Sequence, residues 1–395
     1  MLAPSLTANP GLYLHIPFCS AICPYCDFAV LTGGPAVRAR FTETLIAEAG
    51  LARAFWTGPE PMDTVYFGGG TPSALSPDEL ARILEAVRAA LPVDPAAWIF
   101  LEANPEDVTA ESLRAWRALG VRTLSLGIQS FDAAALAFLG RRHGPEEATR
   151  SVRLAREAGF HTVSVDLIYG LPGETAEGWR RTLEQAVALE PDHLSCYQLT
   201  IHEGTPFGFR QERGQLAELP EPDQAERFLF THAFLADAGI PGYEVSNFAR
   251  SPEHRSRHNQ KYWYHVPYLG LGPSAHSFSG LQAPGGPRRW WNRRKLRPYE
   301  ASVAAGEPPV EGSEALTAGD LALEALLLGL RTYDGIDLAR FRHLYGVDLA
   351  DAGSANAAAA ERLVEEGLLV PRGGQLAPTP RGLAVADFLA RSFEV

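Results

Sequence analysis

The sequence predicts an α/β chain: an open, partial (βα)6 barrel of the TIM type over residues 1–240, followed at 299–395 by a mainly helical C-terminal domain with a small β-wing. Three observations predict it. Short runs rich in Val, Ile, Leu, Tyr and Phe alternate with amphipathic stretches along the first 240 residues. Residues able to do chemistry recur where those runs end, as they do at the C-terminal ends of barrel strands. Beyond about residue 240 the alternation stops and helical patterning takes over.

The strands are predicted at 11–18, 64–70, 98–105, 123–130, 162–170 and 193–201, each bounded by Gly, Pro or Asn. Between them, helices are predicted at 37–55, 77–90, 146–158 and 176–189, with another at 223–238. Ser76 before Pro77 reads as an N-cap followed by proline at the first helical position. Strands that alternate with helices form a parallel sheet with right-handed crossovers. Six such units are too few to close an eight-stranded barrel, hence the open form. Residues 241–298 are expected to connect the two domains, with 279–298, rich in Gly, Pro and Arg, a linker or irregular loop. In the last domain, 367–371 and 375–378 are expected to pair as a hairpin.

Composition narrows the function. Against 35 Lys+Arg stand 47 Asp+Glu, a formal charge of -12, so the chain has no general attraction for nucleic acid. No run of about 18 apolar residues is present, and residues 1–10 lack the basic-then-apolar pattern of a leader. A cytoplasmic location is expected.

Three of the four cysteines lie within eight residues, as Cys19-x3-Cys23-x2-Cys26, directly after the first strand. Disulfide frameworks do not cluster in this way, and a metal site is indicated. Three thiolates bind three irons of a [4Fe–4S] cluster and leave the fourth iron open. The competing reading is a structural zinc site, which needs a fourth ligand; His15 is the nearby candidate. Cys196, among apolar strand residues, reads as a small buried hydrophobe.

Other residues with chemical potential sit at the later strand ends. The second strand ends in Phe67-Gly68-Gly69-Gly70-Thr71-Pro72, where successive glycines allow close approach of backbone to a ligand. The third ends at Glu102, which alone reads equally as a solvated acid; the fourth ends at Gln129, a polar residue in an apolar strand; the fifth carries Asp166. Arg141 offers a fork of donors suited to a carboxylate, or is an ordinary surface arginine like its neighbour Arg142.

Together, the cysteine loop and the glycine-rich strand end resemble the radical S-adenosylmethionine (SAM) superfamily over essentially the first 240 residues. The resemblance implies a radical SAM barrel with SAM chelated at the open iron. It places the SAM amino group against Gly69 and Gly70, the ribose hydroxyls on Glu102 and the carboxylate on Arg141. Tyr13-Leu14-His15-Ile16-Pro17-Phe18-Cys19 and the segments 127–131, 166–172 and 243–248 look like the oxygen-independent coproporphyrinogen III oxidase family and its haem-chaperone relatives of the HemW type. By that resemblance Tyr13, Tyr25, Gly70 and Thr71 also contact SAM.

Two departures set the chain apart from the oxidases of that family, which carry a further cysteine where Phe28 stands here and a longer segment before the cluster than the 18 residues here. His258-Asn259-Gln260-Lys261-Tyr262-Trp263 matches the H-N-x-x-Y-W pattern of the haem-chaperone branch. A histidine can ligate haem iron, and aromatic rings offer a porphyrin flat apolar surface. His258 is therefore a candidate haem ligand, with His254, His265 and His276 as neighbouring alternatives; as a purely structural residue it would instead be hydrogen-bonded in a core. The basic run Arg293-Arg294-Lys295 is a candidate partner for haem propionates.

The resemblance thus implies a haem chaperone using a [4Fe–4S] cluster, SAM and haem. Its partners would be haem-requiring apoproteins, membrane-bound respiratory enzymes among them, and an unidentified electron donor. The protein would be peripheral at the membrane during delivery. An oxidative decarboxylase of coproporphyrinogen III and an iron–sulfur protein without haem affinity are the alternatives.

Overall fold

The computed structural model describes residues 9–395 except 57 and 59; residues 1–8, which bear most of the leaderless N-terminus expected above, lie outside the described residues. The strands are β1 (Gly11–Ile16), β2 (Met62–Gly69), β3 (Val93–Ala103), β4 (Val121–Gln129), β5 (Thr162–Tyr169), β6 (His193–Gln198), β7 (Asn247–Ala249), β8 (Tyr268–Leu271), β9 (His276–Phe278), β10 (Arg288–Asn292) and β11 (Val310–Ala315). They form one sheet in the order β11-β10-β9-β8-β1-β2-β3-β4-β5-β6-β7. Strands β1 to β6 are mutually parallel and β8 joins them parallel to β1. The ladder then continues antiparallel through β9, β10 and β11, and β7 adds antiparallel to β6. Among the described residues β7 and β11 do not pair with each other, so the sheet stays open, as the unit count predicts.

Side chains alternate along these strands. Leu12, Leu14 and Ile16 of β1 join Val65 and Phe67 of β2, Ile99 and Leu101 of β3, and Val163 and Val165 of β5 in one core with the surrounding helices. Helix Pro35–Ala52 contributes Phe41, Leu45 and Ala49 to it. The intervening residues point the other way and are polar or aromatic. Tyr66, Phe100, Ser125, Ser164, His193 and Ser195 line a polar cavity of about 50 Å³ inside the curved sheet. Helix Pro77–Ala90 begins as predicted: Ser76 caps Glu79 in a reciprocal box, with proline at the first turn.

The stretch 279–298, expected as a linker or irregular loop, contains strand β10, and the connecting segment 241–298 is built into the sheet. It supplies β7 to one edge of the sheet and β8, β9 and β10 to the other, and its helix Arg257–Trp263 enters the curved sheet from the N-terminal ends of the strands. Nor does the last domain begin at 299. Helix Leu296–Ala304 packs Tyr299 and Val303 into the first core, and β11 pairs with β10. Strands of three to six residues carry little periodicity, which is why the sequence pattern misses them.

The second core runs from Ala322 to Phe393. There β13 (Leu369–Arg372) and β14 (Gln375–Pro378) form the predicted wing, joined by β12 (Ile336–Asp337). No helix among the described residues is long and apolar enough to cross a membrane.

Candidate active site

Cys19, Cys23 and Cys26 stand on the loop after β1, at the C-terminal ends of the parallel strands. They line a cavity of about 410 Å³ with Tyr25, Gly69, Gly70, Thr71, Glu102, Gln129, Arg141 and Asp166. Of the sequence-predicted site residues, only Tyr13 and His258 lie elsewhere.

The glycines at the end of β2 are needed individually. Gly69 has φ 110°, and a Cβ there would lie 2.6 Å from the His15 ring; a Cβ on Gly70 would lie 2.8 Å from the Phe18 carbonyl. The amides here are engaged within the protein: Gly69 N–H donates to Glu102 Oε2 (3.2 Å), Gly70 N–H to Ile16 O (2.8 Å) and Thr71 N–H to Phe18 O (2.7 Å). What this strand end has to offer a ligand is carbonyl oxygen, the right partner for an ammonium group.

Glu102 is also held by Tyr66, whose hydroxyl donates to Oε1 at 2.7 Å. Burial pushes its carboxyl up to about 7 against the pull of Tyr66, and nearby Asp166 adds to the rise. Asp166 accepts from Ser125 Oγ at 3.0 Å, and burial pushes it up to about 6, opposed by the serine hydroxyls around it. The strand bearing Gln129 bulges between Leu126 and Gln129, and Gln129 sits in the left-handed region at φ 65°. A non-glycine residue in that region is strained, a feature concentrated at functional sites.

Arg141 is built into the site. Its Nη2 donates to Asn104 Oδ1 (2.6 Å) and Gly127 O (2.8 Å), and Nη1 points at Cys23 Sγ (3.5 Å). Its Nε is buried with no partner among the described residues. That orphaned donor is what a bound carboxylate would satisfy. Asn104, not singled out from the sequence, passes the connection on to Thr71 Oγ1 (3.2 Å), which in turn points at Cys19 Sγ (3.6 Å). A strand-end amide before proline reads from sequence as turn chemistry, and its bridging role becomes visible only in the structure.

The residues fit a [4Fe–4S] cluster. The thiols are free, partly exposed and turned into one cavity. Burial pushes the Cys19 thiol up to about 11, so it is iron that must displace its proton. His15 does not serve as a fourth ligand: Nε2–H donates to Ala29 O (2.9 Å), and Nδ1 meets the Tyr13 hydroxyl (3.2 Å). Cys196 lies in the helix-facing core, 3% exposed.

A second cavity of about 390 Å³ adjoins the first, and Asp27, Phe28, Gly69 and Glu102 line both. Tyr13 faces this second space together with Tyr262, Tyr268, His276 and Arg294. His258 does not reach either cavity. Its Nδ1 is hydrogen-bonded to Thr64 Oγ1 and its Nε2 to the Tyr262 hydroxyl, both at 2.9 Å. The ring packs 5.1 Å from that of Tyr66, 1% exposed, and a Cβ on Gly11 would lie 2.9 Å from it. Burial, then the Lys261 cation, pushes the imidazole down to about 3, so it is neutral. The geometry gives it a structural place one residue behind the cavity wall and no free nitrogen for iron.

The basic run is also divided by the structure. Arg293 Nε donates to Ser302 Oγ (3.0 Å), Lys295 precedes helix Leu296–Ala304, and Arg294 lines the second cavity.

A model of the radical SAM superfamily matches residues 13–186, and one of the HemN C-terminal domain matches 316–385. The chain is 38% identical over 394 residues to the heme chaperone HemW of Mycobacterium tuberculosis, covering 99% of this chain and 96% of that one. It is 32% identical to HemW of Bacillus subtilis, covering 85% and 87%. It is 36% identical to the mitochondrial radical S-adenosyl methionine domain-containing protein 1 of Mus musculus, covering 98% and 87%. The solved structure of coproporphyrinogen III oxidase (HemN) from Escherichia coli, a radical SAM enzyme, superposes with a TM-score of 0.82 at 25% identity, covering 99% of this chain and 92% of that one. With the cysteine loop and the glycine-rich strand end on one cavity, the C-terminal domain in place and the full-length likeness to HemW relatives, the chain belongs to the HemW family of the radical SAM superfamily.

Proposed function

We propose that this protein binds haem and passes it to apoproteins that require it, with a [4Fe–4S] cluster on Cys19, Cys23 and Cys26 and SAM in the adjoining cavity. The observation that carries the reading is Phe28. It stands 65% exposed between the two cavities, where the related oxidases have a further cysteine. An apolar ring there suits a flat macrocycle and removes a thiol from the site. The full-length likeness to relatives named heme chaperone HemW supports it.

When bound, cluster and SAM supply one-electron reductive chemistry. The chain's own part is positional. Arg141 holds the SAM carboxylate, the carbonyls at the end of β2 take its ammonium group, and Glu102 accepts its ribose hydroxyls. Recipients include membrane-bound respiratory enzymes, reached from the cytoplasm by transient contact at the membrane, and a separate donor supplies the electron.

The likeness to HemN favours a second reading, SAM-dependent oxidative decarboxylation of coproporphyrinogen III. The test is anaerobic cluster reconstitution, then haem titration and transfer to an apo-haem enzyme, beside an assay of porphyrinogen consumption. A saturable Soret shift with transfer and no consumption is expected. SAM-dependent consumption without haem binding would establish the oxidase, and cluster absorbance with neither activity a plain iron–sulfur protein.

A further inference from the structure

We infer that the second cavity is the haem-docking site, with His276 presenting an imidazole to the iron and Arg294 taking a propionate. This rests on the haem-binding reading above and adds where haem sits and which groups hold it.

Among the five candidate histidines named above, elimination points to His276. His258 and His15 have both ring nitrogens engaged. His254 Nδ1 is bonded to Thr162 Oγ1 (2.9 Å), with Nε2 4.0 Å from Asp192. His265 Nδ1 is bonded to the Tyr345 hydroxyl (2.9 Å), with Nε2 3.4 Å from Glu324. His276 lines the cavity, is exposed, and makes no hydrogen bond or ion pair among the described residues. Its ring is nonetheless oriented, stacked on Trp291 at 5.8 Å and 25°. An imidazole that is held in place with a free nitrogen is what an axial ligand requires.

The rest of the wall matches a haem. Phe28 contributes an exposed ring, and Tyr262 and Tyr268 meet edge to face at 4.7 Å. Arg294 is exposed, and among the described residues its one side-chain hydrogen bond is from Nη2 to the carbonyl of Asp27. Its remaining N–H donors are available to a carboxylate. Because Asp27 follows Cys26, that contact ties the docking site to the cluster loop.

The experiment uses the full-length, cluster-reconstituted protein and haemin as probe, with the Soret band and haem affinity as readouts and cluster absorbance and circular dichroism as fold controls. His276→Ala and His276→Gln are expected to lose the wild-type Soret position and to bind at least roughly tenfold more weakly, and added imidazole is expected to restore the band. Arg294→Gln is expected to weaken haemin but not its dimethyl ester. A folded His258→Ala is expected to keep the wild-type band. Wild-type binding that is unchanged in both His276 variants, or lost in a folded His258→Ala, overturns the inference while leaving the haem reading intact. No saturable binding by the wild type overturns the haem reading itself.

Discussion

Arg141 shows what a single side chain does in this site. Three contacts from Nη1 and Nη2 position it, and Nε–H, without a partner among the described residues, is left for a ligand. Lysine keeps the charge but cannot bridge Asn104, Gly127 and a carboxylate at once. Arg141→Lys is therefore expected to weaken SAM binding roughly tenfold or more while leaving cluster content unchanged; equal SAM affinity in the two proteins, measured by equilibrium dialysis, would remove Arg141 from the site. The residues that the structure gathers at one cavity as the sequence pattern suggests are those whose chemistry is rare in context: clustered cysteines, consecutive glycines, an acid at a strand end. Those that did not read are ordinary residues given a role by position. Asn104 became a bridge, and His276 is distinguished from its neighbours by an imidazole that, among the described residues, stacks on Trp291 without a hydrogen-bond or ion-pair partner. His258 is the converse, since its motif is conspicuous but its burial is not written in the local sequence.

At the scale of elements, helix Arg257–Trp263 acts as a plug. His258 bonds Thr64 of β2, and Lys261 Nζ reaches Asp63 (2.6 Å) and the carbonyl of Asn9 (2.7 Å). His258→Ala would leave a void and strand the hydroxyls of Thr64 and Tyr262. A loss on the order of 3 kcal/mol is expected, to be read from urea denaturation; a loss near zero would mean the plug does not brace the sheet. Helix Pro35–Ala52 is tied to the outer strands by Glu48, which accepts from Tyr299 (2.7 Å), Gly272 N–H (2.7 Å) and Asn292. Burial pushes Glu48 up to about 7 despite those three donors. Between the ordinary value near 4.5 and about 7 the folded state keeps a proton that the unfolded state has released. The stability that this group contributes is thus complete at low pH and declines as pH rises through that window. Glu48→Gln cannot titrate. From pH 5 to pH 8 the wild type should lose on the order of 3 kcal/mol relative to that variant; parallel stability curves would contradict this. The parallel strands were legible because each is long enough to alternate, whereas β8 to β10 and β7 span only three to five residues each and are recognisable only through their pairing.

At the scale of the whole molecule, two cores are joined by polar contacts. Arg289 reaches Glu324 with two bonds, at 2.9 and 2.7 Å, and Glu324 also faces His265. Tyr264 donates to Asp334 at 2.8 Å, and backbone bonds run from Tyr333 N–H to Tyr243 O and from Val245 N–H to Arg331 O. Burial alone would raise the Glu324 carboxyl, but the hydrogen bonds from His265 and Arg289 hold it down at about 2, so it is ionised in the folded protein. Glu324→Ala leaves Arg289 without its principal partner at the junction. Calorimetry is expected to show one transition for the wild type and two for the variant, the C-terminal core melting first; one unsplit transition in the variant would show that the backbone bonds suffice.

The alternation along the parallel strands has a consequence for divergence. Even positions of β1, β4 and β6 and odd positions of β2, β3 and β5 face the helices, and the other parity faces the cavities. Folding information and chemical information are thus interleaved residue by residue along the same segments. The helix-facing set tolerates exchange among aliphatic residues of similar volume, while the inward set can be rewritten for a new ligand without touching the packing. A chain built this way can keep its architecture while its sequence diverges, as the superposition on HemN at 25% identity illustrates. A saturation-mutagenesis map should therefore show two interdigitated combs on each strand, one sensitive to polarity and the other to the identity of the functional group.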